Sequence, residues 1–162
     1  MVAPIIIKRK INSFKKTISV NGDKSLSIRW ALMASQATGK SRAYNLLRSL
    51  DVISTLISLK KLGIKVRLKK KYCEIESRGL NTFYENKKIT LDAGNSGTLG
   101  RLILGLLIHS KNKIKIIGDK SLSKRDFSRV ILPLKKFGAK FKYRSNYKLP
   151  IEIYGVKKAK SI

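Results

Sequence analysis

Cysteine and histidine are almost absent from this 162-residue sequence, which contains one of each. Cys73 therefore has no partner for an internal disulfide bond or for a paired-cysteine metal site, and this usage fits a reducing cytosol. The sequence around Cys73 has the residue alternation that is typical of a strand. This pattern favours a small buried side chain at this position over a reactive thiol. His109 follows an apolar run, so we interpret it as a helix-terminal or packing residue rather than a ligand or general base.

Acidic residues and long apolar runs are also scarce. The chain has 37 lysines and arginines against 9 acidic residues, a formal net charge of +28, which raises the local concentration of any anionic partner. No apolar run reaches the roughly 20 residues that span a bilayer, so we expect no membrane segment. Residues 2–7 are too short for a signal core and are followed by lysines, which predicts a strand instead. A cytoplasmic location is therefore expected.

The positive charge makes a nucleic-acid-binding protein one alternative interpretation. Proteins of that class concentrate basic residues on one face or along one stripe. Here the lysines and arginines are spread through every segment, without a stripe in which aromatic residues alternate with basic ones. A dedicated nucleic-acid surface is therefore the less favoured interpretation.

Strand-like and helix-like patterns alternate in the order βαβαββ, and this order occurs twice. The first set comprises residues 17–20, 26–36, 41–46, 52–62, 65–68 and 73–76, and the second comprises residues 89–92, 99–108, 113–117, 127–137, 140–143 and 150–154. Each helix has one apolar face to bury, which predicts an α/β (α+β) fold with helices packed together inside and sheets outside. Two units are one fewer than stacked repeats usually need, so we expect a third unit from elsewhere.

The repeat also holds at individual residues, because the segment from Asp51 to Gly63 aligns without gaps with the segment from Asp126 to Gly138. Apolar stripes at helical spacing predict two buried helix faces, formed by Val52, Leu56 and Leu59 and by Phe127, Ile131 and Leu134. Local residue preferences predict Asp51 as a helix N-cap and Gly39 and Gly63 as helix C-caps.

Two polar loops that contain glycine lead into apolar helical segments. They are Gly22-Asp23-Lys24-Ser25-Leu26-Ser27-Ile28-Arg29 and Gly94-Asn95-Ser96-Gly97-Thr98-Leu99-Gly100-Arg101. A helix start offers unpaired backbone N–H groups and a positive dipole end, and glycine lets an anion approach the main chain. The two loops therefore predict sites for a pair of substrates that together carry several negative charges.

Together with Gly118-Asp119-Lys120-Ser121-Leu122-Ser123-Lys124-Arg125, these loops resemble the signatures of the 5-enolpyruvylshikimate-3-phosphate synthase family. The resemblance covers almost the whole chain, and the landmarks between the motifs follow the family's order, at residues 45–51, 55, 61–63 and 130–139. It implies a fold of two lobes with three βαβαββ units each. It also implies transfer of the enolpyruvyl group of phosphoenolpyruvate to the 5-hydroxyl of shikimate 3-phosphate, without a metal or an organic cofactor.

The resemblance assigns site residues as well. The implied substrate contacts are Lys24 between both substrates, as the catalytic residue, Ser25 and Arg29 on shikimate 3-phosphate, and Asn95, Gly97 and Arg125 around phosphoenolpyruvate. The planar fork of arginine suits bidentate oxyanions, and a lysine ammonium suits a shared site. Implied supporting residues are Asp51, Thr98 and Arg101, although a salt bridge that fixes the helix start explains Arg101 equally well.

The sequence departs from the family pattern in three places. Asn21 stands where proline is usual, Leu50 replaces an acidic residue, and Asp126-Phe127 follows Arg125 where Pro-Met or a similar pair is common. None of these changes removes a charged ligand. Loss of the proline leaves the chain before Gly22 freer, so we expect the geometry of the first loop to be less constrained.

Family members are much longer than this chain, so the resemblance implies a division into parts. Residues 1–20 are expected to form edge strands of the other lobe, 21–80 the first unit, 81–155 the second unit, and 156–162 a connection to a third. Catalysis needs groups from both sides of a cleft, so we expect the chain to be inactive alone and to need a missing C-terminal half.

Two further interpretations remain at this level. One is an anion-binding module without catalysis. The other is the sister enolpyruvyl transferase that acts on a UDP-sugar, against which the loop at residues 23–29 argues.

Overall fold

The computed structural model describes residues 13, 15, 20–80, 82, 83, 88–110, 112–156 and 158–160. The strands predicted at residues 2–7 and 17–20 lie outside the described residues, apart from residue 20. The same holds for most of the predicted edge segment at residues 1–20.

Helices and strands follow one another as the sequence predicts, in two successive groups. The first group contains α1 (Lys24–Ala34), β1 (Thr38–Tyr44), α2 (Leu50–Lys61), β2 (Lys65–Leu68) and β3 (Tyr72–Arg78). The second contains β4 (Ile89–Asp92), α3 (Gly97–Leu106), β5 (Ile114–Ile117), α4 (Ser128–Lys136), β6 (Lys140–Arg144) and β7 (Lys148–Tyr154). Short 3₁₀ turns lie at Leu107–His109, Leu122–Lys124 and Ser145–Tyr147.

The strands form two sheets, one for each group. In the first, β3 lies between β1 and β2 and pairs antiparallel with both. In the second, the order is β4-β5-β7-β6, and only β4 and β5 are parallel, with Leu91 opposite Ile116. Ile116 in turn pairs with Ile151 on β7. Because side chains alternate between the two faces along each strand, these isoleucines of β5 and β7 are buried on one face of the sheet.

The helices pack against one another, and their apolar faces join both groups in one core. Helix α1 contacts α2 and α3, and α3 contacts α4. The predicted stripes are confirmed, because Val52, Leu56, Leu59, Phe127 and Ile131 are buried and Leu134 is partly buried. Burial of one such side chain stabilises the fold by about 1.5–3 kcal/mol. The expected fold class, with sheets around packed helices, is therefore confirmed.

The C-terminal ends of α2 and α4 repeat the same backbone geometry. Gly63 and Gly138 adopt φ values of 85° and 101°, and each donates its N–H to the carbonyl three residues before it. The next residue, Ile64 or Ala139, donates to a carbonyl five residues back. This double bond pattern is the Schellman motif, in which glycine tolerates the left-handed conformation. The C-cap signal at Gly63 is therefore confirmed.

Two predicted caps are wrong. Gly39 lies inside β1, and α1 ends instead at Ser35, whose hydroxyl donates to the Leu32 carbonyl at 2.6 Å. Asp51 is not the N-cap of α2, because the helix begins at Leu50 after an N-cap at Ser49. The carboxylate of Asp51 lies in the first turn, where it faces the positive end of the helix dipole.

Candidate anion-binding site

The first loop is held by a close backbone approach at Gly22. A Cβ atom on this residue would lie 2.2 Å from the carbonyl oxygen of Asn45 and 2.8 Å from the amide nitrogen of Leu47, so only glycine fits. Asn45, with φ of 56°, donates its side-chain amide to the carbonyl of Val20 at 2.6 Å. This bond restrains the segment before Gly22.

Helix α1 begins with a capped turn that presents Lys24. Asp23 is the N-cap, and its carboxylate accepts from the Leu26 amide at 2.7 Å. The ammonium of Lys24 lies 3.0 Å from the Asp51 carboxylate, and the lysine side chain is 51% exposed. Asp51 thus orients the ammonium and leaves it accessible to a ligand.

Ser25 and Arg29 are four residues apart and therefore share one face of α1. Ser25 is half-buried, and the exposed Arg29 borders a groove between α1 and α3. Among the described carboxylates, none forms an ion pair with Arg29. No described carboxylate therefore competes with an external anion for its guanidinium.

The second loop turns sharply at Gly94 before it enters α3. Gly94 has φ of 54°, and its amide donates to the Asp92 carboxylate at 2.8 Å. Ser96 is the N-cap and accepts from the Leu99 amide at 3.2 Å. Gly97 and Thr98 are the first two helical residues, both half-buried, which places their amides at the positive end of α3.

Two guanidinium groups converge on Gly97. A Cβ atom there would lie 2.8 Å from Nη1 of Arg101 and 3.0 Å from Nη1 of Arg125. Neither arginine forms an ion pair with a carboxylate in the part of the chain that the structure describes. Two unneutralised guanidinium groups beside a helix N-terminus are an arrangement that suits a phosphate or a carboxylate.

Arg101 connects α3 to the start of α4 through main-chain contacts. Its guanidinium donates to the carbonyl oxygen of Asp126 at 3.1 Å, more weakly to that of Gly97 at 3.4 Å, and lies 5.0 Å from the centre of the buried Phe127 ring. The salt-bridge interpretation of Arg101 is therefore wrong within the described residues, because carbonyl oxygens hold this side chain.

Arg125 is held by the third motif and by the second loop. Its Nη2 donates to the side-chain oxygen of Asn95 at 2.9 Å, and the Asn95 amide donates to the Asp119 carboxylate at 2.6 Å. Asp119 also accepts from the Leu122 amide at 2.7 Å. That bond first, and the Asn95 bond second, hold the pKa of the Asp119 carboxyl below its ordinary value.

The first turn of α2 lies between the two loops. Asp51 contacts Lys24, and one turn further along the Ser54 hydroxyl lies 3.4 Å from where a Cβ of Gly94 would be. Among the described residues no hydrogen bond or ion pair joins Lys24 directly to Asn95 or Arg125. The structure thus groups Asn95, Gly97, Arg101 and Arg125 in one cluster and places Lys24 beside Asp51 on the neighbouring helix start.

Sequence reasoning missed Asn45 and Asp119 as parts of the site. The sequence does contain a signal that Asp119 belongs to a loop like the first one. The six residues from Gly118 to Ser123 are identical to those from Gly22 to Ser27. Asp23 and Asp119 both cap the amide three residues on at 2.7 Å. The bond from Asn95 to Asp119 joins residues 24 positions apart and has no local signature.

The remaining candidates behave as structural residues. Cys73 is fully buried, as its sequence pattern predicts, and burial raises the pKa of its thiol. The His109 ring nitrogen Nδ1 lies 3.1 Å from the Val156 carbonyl oxygen, at the end of the 3₁₀ turn that follows α3. In the described ranges, no cluster of three or more histidine, cysteine or acidic side chains is arranged to hold a metal ion. Nor does any described helix have the length and apolarity required to cross a membrane.

Comparison with known proteins gives a consistent result. Residues 8–162 match the family model described as EPSP synthase (3-phosphoshikimate 1-carboxyvinyltransferase). A 3-phosphoshikimate 1-carboxyvinyltransferase of Streptococcus mutans is 36% identical over 96% of this chain, and one of Thermoanaerobacter pseudethanolicus is 39% identical over 94%. An EPSP synthase structure from Acinetobacter baumannii superposes with a TM-score of 0.83 at 31% identity over 93% of this chain.

The matched proteins are much longer than this chain. The alignment covers 36% of the Streptococcus mutans protein and 34% of the Acinetobacter baumannii chain. The chain therefore spans about a third of the length of these relatives.

Proposed function

The chain belongs to the EPSP synthase family, and from this membership we propose that it supplies the N-terminal portion of a 3-phosphoshikimate 1-carboxyvinyltransferase. The proposed reaction transfers the enolpyruvyl group of phosphoenolpyruvate to the 5-hydroxyl of shikimate 3-phosphate and releases phosphate. It belongs to aromatic amino-acid biosynthesis, and we propose that it takes place in the cytoplasm.

The convergence of Arg101 and Arg125 on Gly97 is the observation that supports this proposal most strongly. Phosphoenolpyruvate carries a phosphate and a carboxylate on a small carbon frame, so it needs closely spaced cations. Because Gly97 has no side chain, a compact anion can approach the start of α3 and both guanidinium groups together. We therefore assign phosphoenolpyruvate to the cluster of Asn95, Gly97, Arg101 and Arg125.

We assign shikimate 3-phosphate to the start of α1, where Ser25 and Arg29 share one face. A hydroxyl donor and an unpaired guanidinium suit its phosphate and carboxylate. Lys24 lies on an adjacent face, beside Asp51, and is the candidate group between the two substrates. An ammonium in that place stabilises the negative charge that develops as the hydroxyl adds and phosphate leaves.

The proposed site is one side of a cleft. Lys24, Arg29, Asn95 and Arg125 are all exposed, whereas catalysis requires donors and acceptors around the whole reacting centre. We therefore propose that the remainder of the enzyme supplies the opposite side and that this chain alone has little activity.

An open apolar groove supports this need for a partner. It is lined by Arg29, Leu32, Met33, Gln36, Ala37, Leu102 and Leu106, and has a volume of about 510 Å³. Met33 is 74% exposed and Leu102 is 41% exposed, which is unfavourable for two neighbouring apolar side chains in water. We propose that the remaining part of the enzyme covers this groove.

A complementation assay tests the proposal. The chain would be mixed with a C-terminal fragment of the Streptococcus mutans relative that begins where the matched region ends, and phosphate release would be measured with both substrates. We expect release from the mixture and little from either part. Calorimetric titration of the chain alone covers the other outcomes: anion binding without complementation would support a non-catalytic binding module, and absence of both would overturn the proposal.

A further inference from the structure

An amide, and not a carboxylate, holds the guanidinium of Arg125. The side-chain oxygen of Asn95 accepts from Arg125 Nη2 at 2.9 Å, and the Asp119 carboxylate lies one hydrogen bond further away, 2.6 Å from the Asn95 nitrogen. Asn95 therefore stands between a cation and an anion. A direct ion pair would place the carboxylate against the guanidinium, whereas this neutral spacer fixes the position of Arg125 and keeps the carboxylate out of contact with it, so that the guanidinium can pair with a ligand.

Asp119 determines which end of the Asn95 amide faces Arg125. An ionised carboxylate only accepts hydrogen bonds, and a guanidinium only donates them. With the Asn95 nitrogen on Asp119, its oxygen necessarily faces Arg125. The opposite orientation would set two donors against each other at Arg125 and two acceptors against each other at Asp119.

Asp119 is itself fixed to both loops. Its backbone N–H donates to the Gly94 carbonyl at 2.8 Å, and its carboxylate accepts from the amide of the fully buried Leu122. The two loops approach each other so closely that a Cβ on Gly118 would lie 3.0 Å from the Gly94 oxygen. The carboxylate is therefore held against Asn95 by backbone contacts on either side.

We propose that Asp119 is a positioning residue of the anion site, which orients Asn95 so that Arg125 stands beside Gly97 with an unneutralised charge. This inference rests on the proposed placement of phosphoenolpyruvate at Arg125. Asp119 contacts no substrate in this account and acts only through Asn95.

The variant Asp119→Asn separates this role from a structural one. Its side-chain oxygen still accepts from the Leu122 amide, so the turn is kept, but its nitrogen now faces the Asn95 nitrogen. Asn95 must rotate and present its own nitrogen to Arg125, which breaks that hydrogen bond. We expect the guanidinium protons of Arg125 to exchange faster with water once this hydrogen bond is lost, so that their NMR signals weaken. The affinity for phosphoenolpyruvate should fall roughly tenfold or more.

Asp126→Asn is the matched control. Asp126 is adjacent to Arg125, is exposed, and its carboxylate bonds to Ser128 rather than to Asn95. The variant keeps the backbone carbonyl that Arg101 contacts and removes one negative charge outside the chain of hydrogen bonds from Asp119 through Asn95 to Arg125. We expect the Arg125 signals of this variant to match those of the unmodified chain. If Asp119→Asn also left the Arg125 signals and the affinity unchanged, the proposal would be overturned.

The double variant Asn95→Asp, Asp119→Asn gives a second test that does not depend on the stability of the single variant. Its new carboxylate at position 95 accepts from both the new amide at position 119 and Arg125, so we expect the slow guanidinium signals to return. Affinity for phosphoenolpyruvate should remain low, because Arg125 is now neutralised. Recovery of affinity together with the signals would contradict the spacer role of Asn95.

The NMR measurement needs no ligand, so the two proposals fail separately. If the unmodified chain does not bind phosphoenolpyruvate, the proposed function loses support. The Arg125 signals of Asp119→Asn still decide whether Asp119 positions the guanidinium.

Discussion

Lys24 and Asp51 join the start of α1 to the first turn of α2, with the ammonium nitrogen 3.0 Å from a carboxylate oxygen. The lysine is half exposed, and ion pairs this open contribute only about 0–1 kcal/mol to stability. Their value lies in geometry, because the carboxylate holds a long flexible side chain beside the first turn of α2, which lies between the two glycine loops. Substitution of Lys24 should therefore affect ligand binding far more than folding.

The variant Lys24→Met removes this ammonium and keeps most of the aliphatic stem. We expect affinity for shikimate 3-phosphate and for phosphoenolpyruvate to fall roughly tenfold or more, because each loses a charge-assisted contact. Calorimetric titration measures both affinities. The free energy of unfolding in urea should change by less than about 1 kcal/mol.

Lys136→Met is the control for the loss of one positive charge. Lys136 is exposed in the last turn of α4, whereas Arg101 contacts the chain just before the start of that helix. We expect its titrations to resemble those of the unmodified chain. Equal losses of affinity in the two variants would mean that net charge, rather than the position of Lys24, governs binding.

The variant Gly97→Ala fills the space between two guanidinium groups. The new Cβ would lie within 3.0 Å of both Arg101 and Arg125, so these side chains must move apart. We expect weaker binding of phosphoenolpyruvate and of compact anionic mimics, measured by titration. The fold should remain intact, because alanine is a better helix former than glycine.

Gly105→Ala in the same helix controls for this change in helix preference. A Cβ on Gly105 meets no atom within 4 Å. We expect an increase in stability of about 0.5–1 kcal/mol and unchanged affinity. Unaltered phosphoenolpyruvate binding in Gly97→Ala would refute the assignment of that position.

The variant Gly22→Ala should disrupt the first loop. Its Cβ would lie 2.2 Å from the Asn45 carbonyl oxygen, a backbone atom that cannot rotate away. Forced shifts of this kind cost about 1–3 kcal/mol, so we expect a lower urea midpoint and weaker binding of shikimate 3-phosphate. A midpoint equal to that of the unmodified chain would show that this close approach is not required.

Acid should destabilise the first sheet through Glu74. This nearly buried carboxylate accepts from Arg42 at 2.7 Å and from Arg67 at 3.1 Å, and the Arg42 bond is the main cause that lowers its pKa below 4.5. The Glu74 carboxylate therefore becomes protonated at a higher pH in the unfolded chain than in the native chain. The stabilisation of the native state by the ionised Glu74 carboxylate is complete above about pH 4.5, and it is lost as the pH falls through the pKa of Glu74 in the native chain.

The variant Glu74→Gln tests that linkage in urea unfolding at about pH 7 and about pH 3. We expect it to be less stable than the unmodified chain at the higher pH and to differ less at the lower pH. A constant difference between the two proteins at both values would contradict the role of the Glu74 charge.

Much of the fold could be predicted from local patterns. The stripes that begin at Val52 and Phe127 fix which helix faces are buried, and the matching glycines Gly63 and Gly138 end their helices in the same way. Cap positions at Asp51 and Gly39 could not be predicted so well. The carboxylate of Asp51 is engaged by Lys24, and Ser35 satisfies the end of α1 before Gly39 is reached.

The identical segments that begin at Gly22 and Gly118 show the limit of local information for the site. Both fold into a turn capped by aspartate, but the first continues as α1 and the second ends after the 3₁₀ turn Leu122–Lys124. Buried, apolar Ile28 continues the buried face in the first case, whereas the equivalent position in the second is the exposed, charged Lys124. The contact between Asn95 and Asp119 depends on how two distant loops pack, which no single segment encodes.

Amide NMR of the isotope-labelled chain, titrated first with phosphoenolpyruvate and then with shikimate 3-phosphate, tests the central claim most directly. The account predicts that phosphoenolpyruvate shifts the signals of Asn95, Gly97 and Arg125, and that shikimate 3-phosphate shifts those of Ser25 and Arg29, with Lys24 affected by both. Shifts confined to the basic outer strands, such as β6, or no shifts at all, would contradict it.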